Sequence, residues 1–401
     1  MIIFPEIKPP NMLECQKHLF ALDDTHTYLN GAYMSPQLRS VTEVGAAMLD
    51  RKKQPWTIQP EDFFTHTRQL REAFGRLIDI AESHRVALIP SASYGLANAA
   101  VNIPLAAGQE ILMVEEQFPS NYYIWQRRAQ ESGARIRMVG PTRSDRARSW
   151  NENLLAAIGS QTAVVTLGHV HWADGTRYDL TAIRQRLDAV GGYLIIDGTQ
   201  SVGALPFSVK QIRPDALVVA GYKWLLGPYA TGVAYYGPRF DTGQPIEENW
   251  INRKGSAQFG GLVHYTEDYQ PGAARYSVGE KSNFLLVPML ERAIRQILEW
   301  TPQAIQTYTR EIAREALVEL QNMGCYLDPE AARAHHLYGI RLPRQIDSNQ
   351  LQKALAEHRV YVSRRGTALR ISPHVYNTPT DFSRLLQCFR EAWRSNAHPT
   401  G

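Results

Sequence analysis

The chain has 401 residues, of which 44% are hydrophobic and 20% are charged. This length predicts about two to three domains, and the composition excludes a disordered or coiled-coil protein. The 43 basic residues outnumber the 39 acidic ones to give a net charge of +4, and they are scattered along the chain. Because no basic run could follow a phosphate backbone, we expect no nucleic-acid partner.

Membrane and export signals are not evident in the sequence. The first residues lack a charged segment followed by a long apolar stretch, and no segment approaches about 18 consecutive apolar residues. The three cysteines, Cys15, Cys325 and Cys388, are far apart and odd in number, which fits neither a disulfide framework nor a zinc site. We therefore predict a cytoplasmic protein with no membrane segment and no metal centre.

Short apolar runs alternate with stretches of helical length between residues 85 and 237. This alternation is typical of a mainly parallel sheet with helices on both faces. The predicted strands are 85–90, 110–115, 134–139, 162–169, 193–197, 216–222 and 233–236. The predicted helices are 94–101, 121–131, 154–158 and 180–190. The fold class is therefore α/β, with a mainly parallel seven-stranded sheet in one large domain.

The second half of the chain changes character after this sheet. Residues 240–282 are rich in Gly, Asn, Gln and aromatics without periodicity, which predicts a long irregular segment. Two long helices, 284–300 and 302–323, come next. Shorter elements follow at 337–342, 349–358, 360–363, 368–371 and 381–394. We predict an N-terminal arm (1–25) that packs on the small domain, a large domain (26–285) and a small α+β C-terminal domain (286–401).

Small residues follow the first predicted strand, in the segment IPSASYG at 89–95. Such residues let backbone N–H groups at a helix N-terminus approach an anion, and the Ser93 hydroxyl would add a donor. Taken alone, these serines are better explained as a simple helix cap, since Ser is favoured there without any ligand. The glycine fingerprints of dinucleotide and P-loop sites do not occur here, which disfavours a nucleotide-binding enzyme.

Two later strands end in charged residues. The strand YLIID ends at Asp197, where ligands of open α/β sheets bind, although such an Asp can also be a turn residue. The strand ALVVA at 216–220 runs into GYKW, where Lys223 must reach solvent, pair or react. Pyridoxal phosphate (PLP) chemistry uses this combination, because a Lys forms a Schiff base with the cofactor and an Asp keeps its pyridine nitrogen protonated.

The chain resembles the class V aminotransferase family of fold-type I PLP-dependent enzymes, which includes kynureninase, cysteine desulfurases and isopenicillin N epimerase-like proteins. The resemblance rests on LNGA at 29–32, SASYG at 91–95, QFPSN at 117–121, HVHWADGT at 169–176, DGTQ at 197–200, GYKW at 221–224 and LRISPH at 369–374. It implies a fold-type I PLP-dependent transferase in which residues 26–285 bind the cofactor.

The resemblance also implies roles for individual residues. Lys223 would be the Schiff-base lysine and proton carrier, and Asp197 the partner of the pyridine nitrogen. The remaining predicted cofactor ligands are Ala92, Ser93 and Tyr222 at the phosphate, Phe118 stacked on the ring, Gln200 at the ring hydroxyl, and His171 in the pocket wall. Asn30 and Arg370 are predicted to bind the substrate, Arg370 through its α-carboxylate, because a planar guanidinium suits a bidentate carboxylate.

A homodimer with shared active sites is the assembly that the resemblance implies. Trp250, in the irregular segment, would reach the phosphate in the neighbouring subunit. Relatives carry Gly-Thr for a contact where this chain has Gly279-Glu280, and a carboxylate would repel a phosphate. We therefore expect Glu280 to point elsewhere.

Several alternatives remain open from the sequence. Arg364 and Arg365 are interpreted as solvated or functional with equal weight. His169 and His171 alternate along the chain, so one is expected to be packed and the other to line the pocket. A persulfide-forming desulfurase is disfavoured, since no cysteine lies between Lys353 and Arg370.

The predicted function is a PLP-dependent enzyme of aminotransferase type that acts on a small amino acid. A kynureninase-like or C–S lyase, or an amino-acid epimerase, is the alternative. A catalytically silent PLP-fold binding protein is the non-enzyme alternative.

Overall fold

The computed structural model describes residues 13–142 and 146–397. The strands are β1 (Thr27–Tyr28), β2 (Val86–Ile89), β3 (Glu110–Val114), β4 (Arg135–Val139), β5 (Thr162–Gly168), β6 (Tyr193–Asp197), β7 (Ala216–Ala220), β8 (Gly232–Tyr236), β9 (Tyr338–Arg341), β10 (Val360–Tyr361), β11 (Ser363–Arg365) and β12 (Ala368–Ile371). The helices are α1 (Arg39–Lys52), α2 (Asp62–Leu77), α3 (Ala92–Val101), α4 (Tyr123–Ser132), α5 (Arg146–Ala157), α6 (Leu180–Asp188), α7 (Val209–Ile212), α8 (Leu286–Trp300), α9 (Pro302–Asn322), α10 (Ser348–Glu357) and α11 (Pro379–Ala397).

Seven strands form the central sheet, in the order β2-β8-β7-β6-β5-β3-β4. Strand β8 runs antiparallel to both of its neighbours, and the other pairs are parallel. The prediction of a mainly parallel seven-stranded sheet is thereby confirmed. In this arrangement the carboxyl ends of β3, β5, β6 and β7 lie along one edge, where open α/β sheets bind ligands.

The central strands are apolar at almost every position because both faces of the sheet are covered. In β7, Leu217 and Val219 belong to one hydrophobic core, whereas Ala216 and Val218 belong to the core on the opposite face. Successive side chains of a strand point to opposite faces, so a doubly covered strand reads as a continuous apolar run.

Helices α1 and α2 are absent from the sequence prediction. They pack against α8, and a Cβ at Gly45 of α1 would lie 2.8 Å from the Met289 sulfur of α8. This close approach requires a small residue inside a helix, and Gly weakens the helical signal of the sequence. Helix α5 is longer than predicted, since it begins at Arg146 and not at residue 154.

The C-terminal region contains a second, three-stranded antiparallel sheet in the order β11-β12-β9. It forms a separate hydrophobic core with α9, α10 and α11. Strand β1 pairs in parallel with β10, so the N-terminal segment is hydrogen-bonded to this region. Residues 1–12 of the predicted arm and 398–401 of the predicted small domain lie outside the described residues. The domain boundaries stay a prediction.

Between β8 and α8 the chain forms only single-turn and slightly longer 3-10 helices, such as Trp250–Asn252 and Gly272–Tyr276. Within residues 13–142 and 146–397, no helix is both long enough and apolar enough to cross a membrane.

Candidate active site

A cavity of about 300 Å³ opens at the carboxyl edge of the central sheet. Eight of the residues predicted to bind the cofactor line it: Ala92, Ser93, Phe118, His171, Asp197, Gln200, Tyr222 and Lys223. An adjoining cavity of about 350 Å³ shares Phe118, Tyr222 and Lys223 with the first. Arg365 and Arg370 line the second cavity but not the first. Residues far apart in sequence therefore meet around Lys223, with the sheet on one side and the C-terminal region on the other.

Lys223 is held by the turn that follows β7. A Cβ at Gly221 would lie 2.6 Å from the carbonyl oxygen of Thr231, so this turn needs a glycine. Lys223 is only 7% exposed, and its burial lowers the pKa of the ammonium to about 8. Asp197 opposes this shift, and the positive charges of Arg370 and Arg365 reinforce it. Part of the Lys223 population is therefore a neutral amine near neutral pH, as a nucleophile or base must be.

Asp197 lies at the end of β6, in the middle of the sheet. Its Oδ1 accepts a hydrogen bond from the Thr199 amide at 3.0 Å, and the Thr199 hydroxyl accepts one from the Ala220 amide at 3.1 Å. Shielding from water raises the pKa of the Asp197 carboxyl. A carboxylate in such surroundings is stabilised by a cationic partner.

Gln200 is fixed on both sides of its amide group. Its Oε1 accepts a hydrogen bond from the Trp224 indole at 2.9 Å, and its Nε2 donates one to the Ala32 carbonyl at 3.1 Å. The Gln200 side chain therefore has a defined orientation at the cavity wall.

The N-terminus of helix α3 forms one end of the first cavity. Ser91 caps the helix by accepting a hydrogen bond from the Tyr94 amide at 3.2 Å, and its Oγ lies 3.0 Å from the Ser93 Oγ. A Cβ at Gly95 would lie 2.8 Å from the Val218 side chain, so this glycine lets α3 pack closely on β7. The exposed hydroxyls and the helix N-terminus together suit an anion.

Aromatic rings surround the Lys223 amine. Its Nζ lies 5.4 Å from the centroid of the Phe118 ring and 5.5 Å from that of the Tyr222 ring. Phe118 also contacts Trp172 edge to face, with 5.5 Å between the ring centroids. These flat surfaces suit an aromatic ligand held beside the lysine.

The two histidines after β5 have different environments. His169 packs against Phe207, and burial lowers the pKa of the imidazole to about 3, so it is neutral. His171 lines the cavity, and its Nδ1 lies 2.8 Å from the Asp174 Oδ1. The His171 Nε2 is buried and has no hydrogen-bond partner among the described residues.

Arg370 is 1% exposed, although its guanidinium lines the second cavity. Its Nη1 donates a hydrogen bond to the Trp172 carbonyl at 2.9 Å, whereas its Nε and Nη2 have no partner in the described part of the chain. Burial, with a smaller contribution from the positive charge of Arg365, lowers the pKa of the guanidinium to about 9. A buried cation with two unused donors is costly unless an anion completes it.

Two residues that were predicted to bind substrate or cofactor, Asn30 and Trp250, line neither of these two cavities, and neither does Glu280, which was expected to point elsewhere. The Asn30 Oδ1 accepts a hydrogen bond from the Ser363 hydroxyl at 2.7 Å. Trp250 contacts Phe259 with 5.6 Å between ring centroids and lines a different cavity, of about 540 Å³. Glu280 lines that same third cavity, away from Lys223.

Two residues that line the first cavity, Thr199 and Tyr229, were not predicted, and Arg365, which lines the second, was left undecided. Thr199 holds Asp197, and its place two residues after the strand end was a usable signal. The Tyr229 ring lies beside the Tyr222 ring, tilted by 53° with 4.6 Å between the centroids, but no sequence motif around Tyr229 indicates this contact. Arg365 was left undecided, because the adjacent Arg364 carries the same chemistry.

These features fit PLP, the cofactor that the resemblance implies. The serine-capped helix end would hold its phosphate, Lys223 would bond its aldehyde carbon, and Asp197 would pair with its ring nitrogen. The cavity volume lies in the usual range for small-ligand sites. The residue assignments stay predictions.

Comparisons with known proteins identify the family. The sequence profile of the family described as Aminotransferase class-V matches residues 59–385. The uncharacterized aminotransferase YcbU of Bacillus subtilis (strain 168) is 25% identical over 377 residues, which are 93% of this chain and 96% of that protein. Isopenicillin N epimerase of Streptomyces clavuligerus is 24% identical over 344 residues, 79% of this chain and 82% of that protein.

A solved structure supports the same fold. A variant of C-DES with glycine covalently linked to its PLP cofactor has a TM-score of 0.81 and 18% identity, and the match covers 94% of this chain and 99% of that one. The predicted fold-type I architecture is thereby confirmed. The chain belongs to the class V aminotransferase family, and it is a PLP-dependent enzyme.

Proposed function

We propose that the protein binds a small α-amino acid through Arg370 and acts on its Cα in an aminotransferase-type reaction. The observation that carries this proposal is the guanidinium of Arg370, whose Nε and Nη2 are buried and have no partner in the described chain. This guanidinium lines the same cavity as Lys223. A carboxylate would satisfy both donors at once, as bidentate pairs with arginine do.

PLP, when bound, supplies an aldehyde for the substrate amine and a ring that withdraws electrons from Cα. Asp197 holds a proton on the ring nitrogen, and its own burial strengthens that pairing. Lys223 would carry a proton to or from Cα, since its pKa of about 8 suits acid–base work near neutral pH. Arg370 fixes the carboxylate, and the aromatic rings of Phe118 and Tyr222 keep water away from the amine.

An epimerase is the second candidate, and two observations favour it. The chain matches isopenicillin N epimerase over most of its length. Epimerisation needs proton carriers on both faces of Cα, and His171, whose Nε2 has no partner among the described residues, lines the Lys223 cavity. A persulfide-forming desulfurase is less well supported, because burial raises the pKa of Cys325 and of Cys388 to about 12.

The test is the visible absorbance of the holoenzyme during addition of amino acids without any keto acid. Conversion of the bound cofactor to its pyridoxamine form, with one keto acid released per site, supports transamination. A cofactor spectrum that survives while the opposite enantiomer accumulates supports the epimerase. A spectrum that no amino acid changes contradicts both candidates.

We also propose a homodimer in which Trp250 contacts the cofactor phosphate of the partner subunit. Trp250 is 41% exposed and lies outside the Lys223 cavity of its own chain. Leu49, which lines the same third cavity, is 58% exposed, so this surface presents apolar groups to solvent. Glu280 lines that cavity, but Arg51 and Lys52 line it too, and their positive charges oppose the repulsion between the Glu280 carboxylate and a phosphate. The proposed contact therefore does not depend on Glu280.

Sedimentation of the holoenzyme tests the assembly, and we expect the mass of two chains. Trp250→Ala should weaken PLP affinity about tenfold through loss of one phosphate contact, whereas the exposed Trp56→Ala should leave it unchanged. A monomer with full PLP affinity would contradict the shared site.

We further propose that the protein works in the cytoplasm. Its three cysteines are free thiols, as expected in a reducing compartment. Fractionation of cells that express the tagged chain tests this location.

A further inference from the structure

The two arginines of the second cavity lie on one hairpin. Strands β11 and β12 pair antiparallel, with Ser363 opposite Arg370 and Arg365 opposite Ala368. Residues directly opposite each other in such a pair point to the same face, and so do residues two apart on one strand. Arg365 and Arg370 are therefore diagonal neighbours on the face that lines the cavity.

Arg364 occupies the other face of the same hairpin. Its Nη1 donates a hydrogen bond to the Ser348 hydroxyl at 3.2 Å, and the side chain is exposed. The register of β11 thus separates two adjacent arginines that the sequence alone does not distinguish. A substitution of Arg364 therefore serves as a control for the same substitution of Arg365, because both side chains are arginines and only Arg365 lines the cavity.

Arg365 is half-buried at the mouth of the cavity. Its guanidinium carbon lies 5.7 Å from the centroid of the Trp172 ring, and its Nη1 donates a hydrogen bond to the Arg364 carbonyl at 2.8 Å. No ion pair joins it to an acidic residue in the described parts of the chain. The Trp172 ring and the carbonyl fix the orientation of the guanidinium without neutralising it.

The second cavity has an excess of positive charge. Lys223, Arg365 and Arg370 all line it, and no Asp or Glu does so among the described residues. Arg365 lowers the pKa of Lys223 and that of Arg370, which shows that the three charges repel one another. A ligand with a single carboxylate would neutralise Arg370 and leave Arg365 unmatched.

We propose that the substrate is an α-amino acid with a second carboxylate at the end of its side chain, and that Arg365 binds this second carboxylate. The inference rests on the proposed function, in which Arg370 takes the α-carboxylate. The phosphate of the cofactor is not a competing occupant, because its predicted site, at Ser93, lines the first cavity and not the second. Arg365 is thus a specificity-determining residue.

The experiment compares two matched pairs of ligands on the holoenzyme. Glutamate and glutamine differ in the charge of the side-chain end, because a carboxylate is replaced by an amide of the same shape. Glutarate and its monoamide, 5-amino-5-oxopentanoate, differ in the same way without an α-amine. Dissociation constants come from the change in cofactor absorbance for the amino acids, and from isothermal titration calorimetry for the acids. Wild type is expected to prefer glutamate and glutarate by about 10- to 100-fold, the usual value of one charge-assisted hydrogen bond.

Three variants locate the preference. Arg365→Gln should bring glutamate to the level of glutamine, and Arg365→Lys should retain part of the preference. Arg364→Gln should keep the whole preference. Equal binding of both members of each pair by wild type, or a preference that survives in Arg365→Gln, would overturn the proposal.

Failure of this proposal is distinguishable from failure of the proposed function. If neutral amino acids such as alanine and glutamine change the cofactor spectrum but charge on the side chain brings no gain, only the second carboxylate is wrong. If no amino acid changes the spectrum, the proposed function itself fails, and the assignment of Arg365 fails with it.

Discussion

The carboxyl edge of the central sheet and the β11–β12 hairpin both face Lys223, but their polar groups differ in one respect. At the sheet edge, Asp197 is held by Thr199, and Gln200 is bonded on both sides. On the hairpin, Arg370 has two buried donors without a partner in the described chain. Groups with fixed partners are preorganised for a ligand that stays, whereas unmatched cations suit an anion that enters and leaves. Under the proposed function, the sheet edge would be the cofactor half of the site and the hairpin its substrate half.

The largest expected effect comes from the residue between the two halves. Lys223→Ala removes both the covalent link and the proton carrier, so turnover should fall on the order of 10²–10⁴-fold or more. Borohydride reduction followed by mass spectrometry should find no cofactor attached to the variant, whereas the exposed Lys353→Ala should be labelled like wild type. A reducible adduct in Lys223→Ala would refute the assignment.

Arg370→Lys tests the substrate half alone. Lysine keeps the charge but loses the planar pair of donors, so dissociation constants for amino acids should rise about 10- to 100-fold. PLP affinity should stay within a factor of about two, because Arg370 does not line the cofactor cavity. Arg364→Lys is the matched control. Unchanged amino-acid affinity would count against the role.

Asp197→Asn tests the cofactor half alone. The amide oxygen can still accept the hydrogen bond from Thr199, but the charge that pairs with the ring nitrogen is lost. We expect PLP affinity to fall about tenfold or more, whereas the Tm of the apoprotein should not fall, since a shielded carboxylate is replaced by a neutral group. A calorimetric scan with and without PLP measures both. A lower apoprotein Tm would mean that Asp197 has a structural role.

The smallest change to the molecule is a change of pH, which acts through the protonation of Lys223. Its pKa of about 8 lies below the ordinary value of 10.5, so the neutral amine increases as pH rises and is the main form above pH 8. The rate at which apoprotein couples to PLP should rise up to about tenfold per pH unit below that point and then level off. Arg365→Gln should move the midpoint upward, because one neighbouring positive charge is removed. A rate that still rises about tenfold per pH unit from pH 8 to pH 10 would contradict the lowered pKa of Lys223.

The fold and the sheet edge were largely predictable from the sequence. Buried strands are recognisable as continuous apolar runs, and Asp197 and Lys223 stand where two such runs end. Helices α1 and α2 were not predicted. The apolar pattern of α1 is weak and interrupted by Gly45, whereas α2 buries Leu70, Phe74 and Leu77 on one face, so its periodicity was a usable signal.

The substrate half was less predictable. Whether Arg364 or Arg365 faces the cavity depends on the register of β11 with β12, and a shift of one residue would exchange them. The proposed contact of Trp250 with a phosphate involves a second chain, so the cavities of one chain cannot place this residue.

Arg370 is a buried cation, and the Nε and Nη2 of its guanidinium have no partner in the described part of the chain. This arrangement has a consequence for the evolution of the protein. A methionine or leucine at that position would remove a buried charge and could leave the folded protein more stable. Descendants that no longer needed an anionic ligand would therefore tolerate such a replacement and gain from it. An arginine retained at that position is therefore what continued use of an anionic ligand would favour.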